Sequence, residues 1–177
     1  MSRSSYSQPF PCVAIIGDED GLPFNAPAGM WRTLIQLYGP SNIAVQLTEL
    51  SLSLAGTVVT DPPVLIQLVR QIDTGSKITE VYPSQEHDAQ GMPGTDHYRP
   101  IQTQVRTNII MPPTTREILR SFALHPQHGT IYPYRQRLDS VRPLTMAPEH
   151  RLAIRMYAED VVGVTGYLLF SEGSTRL

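Results

Sequence analysis

The sequence predicts an all-β protein, built as an antiparallel sandwich or barrel. Apolar and polar residues alternate with a period of two in most segments, which is the pattern of strands that bury one face. Sixteen prolines and twelve glycines are spread along the chain and separate these segments as turns. The 177 residues, 41% of them hydrophobic, are enough for one domain with an extensive core.

The first stretch of the chain is polar and serine-rich and contains Pro9 and Pro11. Proline lacks a backbone donor and disfavours helix, so residues 1–12 are predicted to form an extended N-terminal arm and residues 13–177 the folded domain. The segment "CVAIIG" is the first strand candidate. The acidic run 18–20 lacks the spaced carboxylates of a calcium loop and is interpreted as part of a solvated turn.

The next two segments are predicted strands. In "MWRTLIQLY" alternation places four residues on one face, namely Trp31, Thr33, Ile35 and Leu37. In "IAVQLTELSLSLAGTVV" the apolar residues change from odd to even positions near Thr48 and Glu49. A phase change in a period-two pattern predicts a β-bulge or a bend at that point.

The middle of the chain combines one strand with one long loop. "VLIQLVRQI" fits a helix by length, but its β-branched residues and its flanking turn sequences favour a strand. Residues 78–100 are predicted to form a long exposed loop because they contain several glycines and prolines. This loop holds four residues of metal-ligand type, His87, Asp88, Asp96 and His97. They lack the regular spacing of a closed metal site.

The second half of the chain continues the strand pattern with one exception. "IQTQVRTNIIM" alternates throughout its length, and Thr114 with Glu117 forms the capping-box pattern that predicts a short helical turn. "TIYPY" is predicted to be an edge segment because Pro133 interrupts it. The closing "RLAIRMYAEDVVGVTGYLLFSEG" shows two alternating runs around a polar break, which indicates strand, turn and strand.

No catalytic motif is present, since the chain lacks GxSxG, P-loop, GxGxxG and HExxH patterns. A cupin-type enzyme requires clustered histidines, whereas His125 and His128 lie in a Pro/Gly turn and His150 precedes a strand. Cys12 is the single cysteine, so no internal disulfide forms, and it is interpreted as a small buried apolar residue. The sequence therefore predicts a protein without enzymatic activity or cofactor.

The charge of the chain argues against direct nucleic-acid binding. The formal net charge is −2, and Lys77 is the single lysine among scattered arginines. Phosphate backbones are bound by basic patches, which this sequence does not display. No apolar run reaches the length needed to span a membrane, and folding in a reducing cytoplasm is expected.

Aromatic residues in or beside the irregular segments are the candidate partner contacts. Aromatic side chains in such positions often supply contact area at interfaces. The candidates are Tyr6, Phe10, Tyr82, Tyr98, Tyr132 and Tyr134. Ordinary packing within loops is the alternative interpretation of each.

Four segments together resemble a family of small single jelly-roll proteins of tailed bacteriophages. They are "CVAIIGDEDGLPFNAPAGMWRTLIQL", "LTELSLSLAGTVVTDPPVLIQLVRQIDTG", "EILRSFALHPQHG" and "RLAIRMYAEDVVGVTGYLLFSEG". The resemblance covers about two thirds of the chain. It implies a single jelly-roll antiparallel β-sandwich and a role as a virion structural protein.

The resemblance implies a capsid decoration, or cement, protein that binds the outside of a phage head as a homotrimer. Its partners would be the major capsid protein and further copies of itself, and its location the capsid surface after assembly in the host cytoplasm. Three alternatives remain open at this point: the shell-forming subunit of a small icosahedral particle, a receptor- or glycan-binding module of a tail or fibre, and a cupin-like metalloenzyme.

Overall fold

The protein is represented by a computed structural model. It describes residues 10–17, 24–26, 28–56, 63–75, 79–81, 84–85, 101–109, 113–125, 130–135, 144–147 and 149–174. These residues contain thirteen strands in two antiparallel sheets and no helix, which confirms the prediction of an all-β antiparallel sandwich.

The strands divide between a seven-stranded and a six-stranded sheet. The seven-stranded sheet contains β1 (Phe10–Ile16), β2 (Phe24–Ala26), β4 (Ile43–Gly56), β7 (Ser84–Gln85), β10 (Thr130–Arg135), β11 (Leu144–Met146) and β13 (Val162–Ser174). The six-stranded sheet contains β3 (Met30–Tyr38), β5 (Val64–Gln71), β6 (Thr79–Val81), β8 (Gln104–Ile109), β9 (Thr115–Leu124) and β12 (Arg151–Ala158).

Strand pairing is nested along the chain. The order is β10-β4-β13-β1-β7 in one sheet, with β11 also on β4 and β2 also on β13, and β6-β8-β3-β12-β5-β9 in the other. Four antiparallel pairs lie one inside the next, namely β1 with β13, β3 with β12, β4 with β10, and β5 with β9. Consequently β12 and β13, although separated by three residues, lie in different sheets.

The hydrophobic core fills the space between the two sheets. Alternate residues of each central strand point inward, as the period-two pattern predicts. The contributors include Leu50, Leu52, Val164, Leu168 and Phe170 from one sheet and Ile66, Leu68, Leu152, Ile154 and Met156 from the other. Burial of each such side chain contributes about 2 kcal/mol, so this interior is the main source of stability.

Two β-bulges set the direction of side chains in β4 and β3. In β4 the register with β13 shifts between Glu49 and Leu47, which makes Thr48 the extra residue and confirms the predicted bulge. In β3 the register with β12 shifts between Ile35 and Thr33, which leaves Leu34 as the extra residue.

The bulge in β3 corrects the predicted face of that strand. Ile35 and Leu37 belong to the core, whereas Trp31 and Thr33 lie opposite Tyr157 and Arg155. The prediction of one shared face was wrong because one inserted residue reverses the alternation.

The predicted helical turn at Thr114 and Glu117 was also wrong, since β9 occupies this segment. The Thr114 amide donates to Oδ2 of Asp73 (3.2 Å) instead of starting a helix. Glu117 pairs with Arg70 on the neighbouring strand, with 2.8 Å between Oε2 and Nη1, instead of reaching back to cap one. Cross-strand partners therefore override the local capping pattern.

The predicted loop over residues 78–100 is interrupted by β6 and β7, so it is less irregular than expected. The two strands are joined by residues 82–83 but belong to different sheets. They therefore connect the two layers at the side of the sandwich that carries β8 and β1. Residues 86–100 lie outside the described part of the chain.

The remaining segment predictions concern β10 and the arm. β10 lies at an edge of its sheet, and its register with β4 shifts between Ile131 and Tyr134, around Pro133, as expected for proline in an edge strand. Residues 10–12 of the predicted arm belong to β1, which pairs with β13. Residues 1–9 lie outside the described residues.

Candidate interaction surface

Within the described residues, no group of three or more His, Cys, Asp or Glu side chains is placed to hold a metal ion. His125 follows β9 and His150 precedes β12, and the neighbouring residues pair with opposite ends of β5. An eight-residue strand spans roughly 23 Å, so these two histidines do not form a common centre. The other candidate ligands, His87, Asp88, Asp96, His97 and His128, lie outside the described residues, as does the acidic run 18–20.

Cys12 is buried in the seven-stranded sheet, in agreement with its interpretation as a small core residue. Burial and, to a smaller extent, the charge of Glu172 raise the pKa of its thiol to about 12. A thiol of this kind is protonated at neutral pH and a poor nucleophile. Cys12 therefore gives no basis for thiol chemistry.

The most organised polar region is the outer face of the six-stranded sheet. Strand registers place its outward residues in four rows across β3, β12, β5 and β9. The rows are Trp31, Tyr157, Leu65 and Ala123; Thr33, Arg155, Gln67 and Ser121; Gln36, Ala153, Val69 and Ile118; and Tyr38, Arg151, Gln71 and Thr115.

Arg155 is the centre of this face. Its Nε and Nη2 donate to Oε1 of Gln67 at 2.9 and 2.7 Å, and its Nη1 donates to Oγ1 of Thr115 at 2.9 Å. Its guanidinium carbon lies 4.2 Å from the centroid of the Trp31 ring. Burial lowers the pKa of this guanidinium, yet arginine remains charged at physiological pH.

Trp31 and Tyr157 form an aromatic pair beside Arg155. Their ring centroids are 5.6 Å apart and the rings are tilted by 47°. Arginine stacked on tryptophan gains from the charge and the ring quadrupole, and planar stacking orders both groups. The three side chains thus form a pre-organised unit, half-buried at the surface.

Buried amides continue the network across β3 and β5. Nε2 of Gln36 donates to Oε1 of Gln71 (2.7 Å) and to the carbonyl oxygen of Asp73 (3.0 Å). Nε2 of Gln71 donates to Oγ1 of Thr33 at 3.0 Å. Such connected polar groups hold one arrangement of neighbouring strands because each broken bond leaves a buried group unsatisfied.

Exposed apolar side chains lie on the β5 and β9 side of the same face. Leu65 is 39% exposed and Ile118 50% exposed. Tryptophan, tyrosine and arginine, with apolar neighbours, are the residue types that dominate binding energy at protein interfaces. By composition, the accessible part of this face is suited to contact with a protein, whereas Thr33, Gln36, Val69 and Ala153 in its middle rows are buried.

The outer face of the seven-stranded sheet is simpler. Its outward positions include Ser51, Ser53 and Thr165. The Tyr167 hydroxyl donates to Oε1 of Glu49 at 2.7 Å, and Thr165 donates to the carbonyl of Ile16 at 3.1 Å. These small side chains offer little contact area, whereas Ile15, 50% exposed and paired with Tyr167, adds an apolar side chain to this face.

The predicted contact residues that the structure describes all belong to the seven-stranded sheet, not to the face centred on Arg155. Tyr6, Tyr82 and Tyr98 lie outside the described residues. The structure describes only backbone pairing for three others: Phe10 is opposite Glu172, Tyr134 is opposite Leu50, and Tyr132 lies at the β10 irregularity. Sequence reasoning missed Trp31, Arg155 and Tyr157. The alternation in "RLAIRMY" could have indicated part of this surface, because Arg155 and Tyr157 occupy the odd positions, which point away from the core.

Comparison with protein-family models, with curated protein sequences and with solved structures gave no match. Among the described residues, no helix is long and apolar enough to cross a membrane.

Proposed function

We propose that this chain is a virion structural protein that binds the outside of a phage head as a decoration protein. In this proposal it is a single jelly roll without catalytic function, and it works through contacts with the major capsid protein and with further copies of itself. The observation that carries the proposal is the pre-organised outer face centred on Arg155, Trp31 and Tyr157.

Strand order supports the jelly-roll assignment. A jelly roll has eight strands in two sheets, wound as two Greek keys. Here β10-β4-β13-β1 and β3-β12-β5-β9 supply four strands to each sheet, and the four nested pairs fold the chain as one long hairpin wrapped over itself. In this interpretation β6, β7 and β8 are an insertion between the fourth and fifth strands.

The character of the outer face supports binding to a protein. Arg155 is fixed by three hydrogen bonds and by stacking on Trp31, so little conformational entropy remains to be lost when a partner binds. Exposed Leu65 and Ile118 add apolar area beside it. Such a combination of anchors and apolar surroundings is typical of binding hot spots.

The test is the mass of the purified chain in solution, alone and with heads of the phage whose genome encodes it. Sedimentation should give a small homo-oligomer, a trimer in the proposal, which then cosediments with heads. Formation of closed shells by the chain alone would instead identify a shell-forming subunit. A monomer that does not cosediment with heads would contradict the proposal.

A paired variant connects this test to the outer face. Trp31→Ala should weaken cosedimentation about tenfold or more, because buried aromatic anchors dominate interface energies. Ile15→Ala removes an exposed apolar side chain from the other sheet and serves as the matched control. Equal binding by both variants would show that the partner uses another surface.

A glycan-binding module is the second candidate, since Trp31 and Tyr157 lie on one sheet face. Sugars stack on accessible, flat aromatic faces. The guanidinium of Arg155 occupies one side of Trp31 at 4.2 Å, and the 47° tilt prevents a common platform. A glycan array distinguishes the two: binding lost in Trp31→Ala would favour the module, whereas an array without signal would favour the decoration protein.

A further inference from the structure

A cleft lies at one end of the six-stranded sheet, where β5 ends and where β9 and β12 begin. Its volume is about 130 Å³, several times the ~15 Å³ that one water molecule requires. The lining includes Arg70, Arg116 and residues 149–151. Three separate segments thus converge on one small, open space.

Guanidinium groups are the most frequent polar groups of the lining. Arg70, Arg116 and Arg151 face a single carboxylate in the lining, that of Glu149. Three arginines in one cleft are notable in a chain whose formal net charge is −2.

Two acidic groups outside the lining, Glu117 and Asp73, interact with arginines of the cleft. Glu117 forms an ion pair with Arg70, with 2.8 Å between Oε2 and Nη1, and its charge offsets that of Arg70. Asp73 accepts hydrogen bonds from the Gly75 amide (3.0 Å) and the Thr114 amide (3.2 Å), and these bonds, with the charge of Arg151, hold its pKa below its usual range. Glu149, Glu117 and Asp73 thus offset the charges of the three arginines, and what the cleft offers a ligand is directed guanidinium N–H donors rather than a net positive charge.

Arg151 is positioned before any ligand arrives. Its Nη1 donates to the carbonyl of Ile72 at 3.0 Å, and its guanidinium lies 4.7 Å from the centroid of the Tyr38 ring. Its Nε is buried and makes no hydrogen bond within the described structure.

The backbone beside the cleft is strained. Glu149 has φ 61°, a left-handed conformation that costs a residue other than glycine about 1 kcal/mol or more. Its amide donates to the carbonyl of Gly39 (2.8 Å) and the amide of His150 donates to that of Ala147 (3.2 Å), which fix this turn. Strain of this kind is concentrated at sites that bind ligands.

We propose that this cleft binds a small oxyanion, a phosphate or a carboxylate group, between Arg116 and Arg151. Guanidinium groups match the geometry of both oxyanions and form charge-assisted hydrogen bonds with them. The carboxylate could belong to an acidic side chain of a protein partner, whereas the phosphate would be free in solution. This inference does not depend on the proposed role in the virion.

The test is a titration of the full chain followed by amide chemical shifts. Inorganic phosphate is the first probe and N-acetyl-glutamate N′-methylamide the second. Saturable shifts confined to residues around the cleft are expected with at least one probe. Response to the second alone identifies a protein carboxylate as the ligand, response to phosphate alone identifies the free anion, and response to both identifies a general oxyanion site.

Two substitutions with opposite expected effects complete the test. Arg116→Gln should weaken binding about fivefold to tenfold, and Glu149→Gln should tighten it by a similar factor, because one removes an attracting charge and the other a repelling charge. The matched controls are Arg120→Gln on the same strand and Glu159→Gln on the surface; both should leave affinity within about twofold. Absence of saturable shifts with both probes would overturn the proposal, as would equal effects of Arg116→Gln and Arg120→Gln.

Discussion

The outer faces of the two sheets differ in how they use polar residues. On the six-stranded sheet, long side chains connect three or more strands through Arg155, Gln67 and Trp31. On the seven-stranded sheet, short polar side chains lie beside Tyr167, whose hydroxyl donates to Glu49, and beside exposed Ile15. The first face is a connected network of polar and aromatic side chains, whereas the described hydrogen bonds of the second are local.

The largest loss of stability is expected from a substitution in the seven-stranded sheet, at Gly166 in β13. A Cβ at this position would overlap the carbonyl oxygen of Ser51 and lie 3.1 Å from Cα of Leu52. Both obstacles are backbone atoms of β4, so Gly166→Ala should destabilise the protein by about 3 kcal/mol. Chemical denaturation measures this loss.

Gly173 is the matched control for Gly166, because it lies on the same strand and has no atom within 4 Å of its added Cβ. Gly173→Ala should change the free energy of unfolding by less than about 1 kcal/mol. Similar losses for both variants would mean that β13 and β4 are not packed as described.

The second effect concerns Glu172, which connects the two sheets. It is 5% exposed, and its Oε1 accepts hydrogen bonds from the amides of Gln102 (3.0 Å) and Thr103 (2.5 Å), just before β8. Glu172→Gln should cost about 2 kcal/mol because an amide replaces a charged acceptor of two buried donors.

Glu159→Gln is the control for this substitution, since Glu159 is exposed and its change should stay within about 0.5 kcal/mol. Thermal unfolding of both variants gives the comparison. If Glu172→Gln is as stable as the wild type, the carboxylate of Glu172 does not contribute to holding the two sheets together.

The third prediction compares the outer faces directly. Arg155→Lys keeps the charge but loses the planar stacking on Trp31 and part of the bonding to Gln67, and should cost about 1.5 kcal/mol. Tyr167→Phe removes one hydrogen bond on the other face and should cost about 1 kcal/mol.

A double-mutant cycle sharpens this comparison. Arg155→Lys combined with Trp31→Phe should show a coupling of about 0.5–1 kcal/mol, whereas Arg155→Lys with Tyr167→Phe should be additive. Coupling of equal size in both cycles would contradict the view that the two faces are independent.

The smallest effect at neutral pH is expected from the Cys12 thiol. Its folded-state pKa of about 12 lies above the ordinary value of 9.0. Below pH 9 the thiol is protonated in both the folded and the unfolded chain, and its contribution to the free energy of unfolding is fully present. Stability should then fall between pH 9 and 12, because the unfolded thiol ionises first. Denaturation midpoints of the wild type and Cys12→Ala should change differently with pH only in this range.

Local sequence patterns predicted much of the strand structure. Period-two alternation located β3, β5, β8, β12 and β13, and the phase change in β4 located the bulge at Thr48. The pattern failed at Leu34, because the residues around this bulge alternate as they would in a regular strand and show no change of phase. It failed again at Thr114, because a capping pattern is weaker than pairing with β5.

The candidate surface could not be predicted in the same way, because its parts are distant in the chain. Arg155 and Gln67 are 88 residues apart, and Arg155 and Thr115 are 40 apart. The oxyanion cleft likewise joins the end of β5 to the beginnings of β9 and β12.

By itself, the sequence determined that the chain forms strands and which side chains of most strands point into the core, because alternation is a property of neighbouring residues. Tertiary structure decided which strands pair, that Trp31 faces away from the core, and that Arg155 meets both Trp31 and Gln67. Register between distant strands depends on partners that no local pattern specifies, and one inserted residue is enough to turn a side chain to the opposite face.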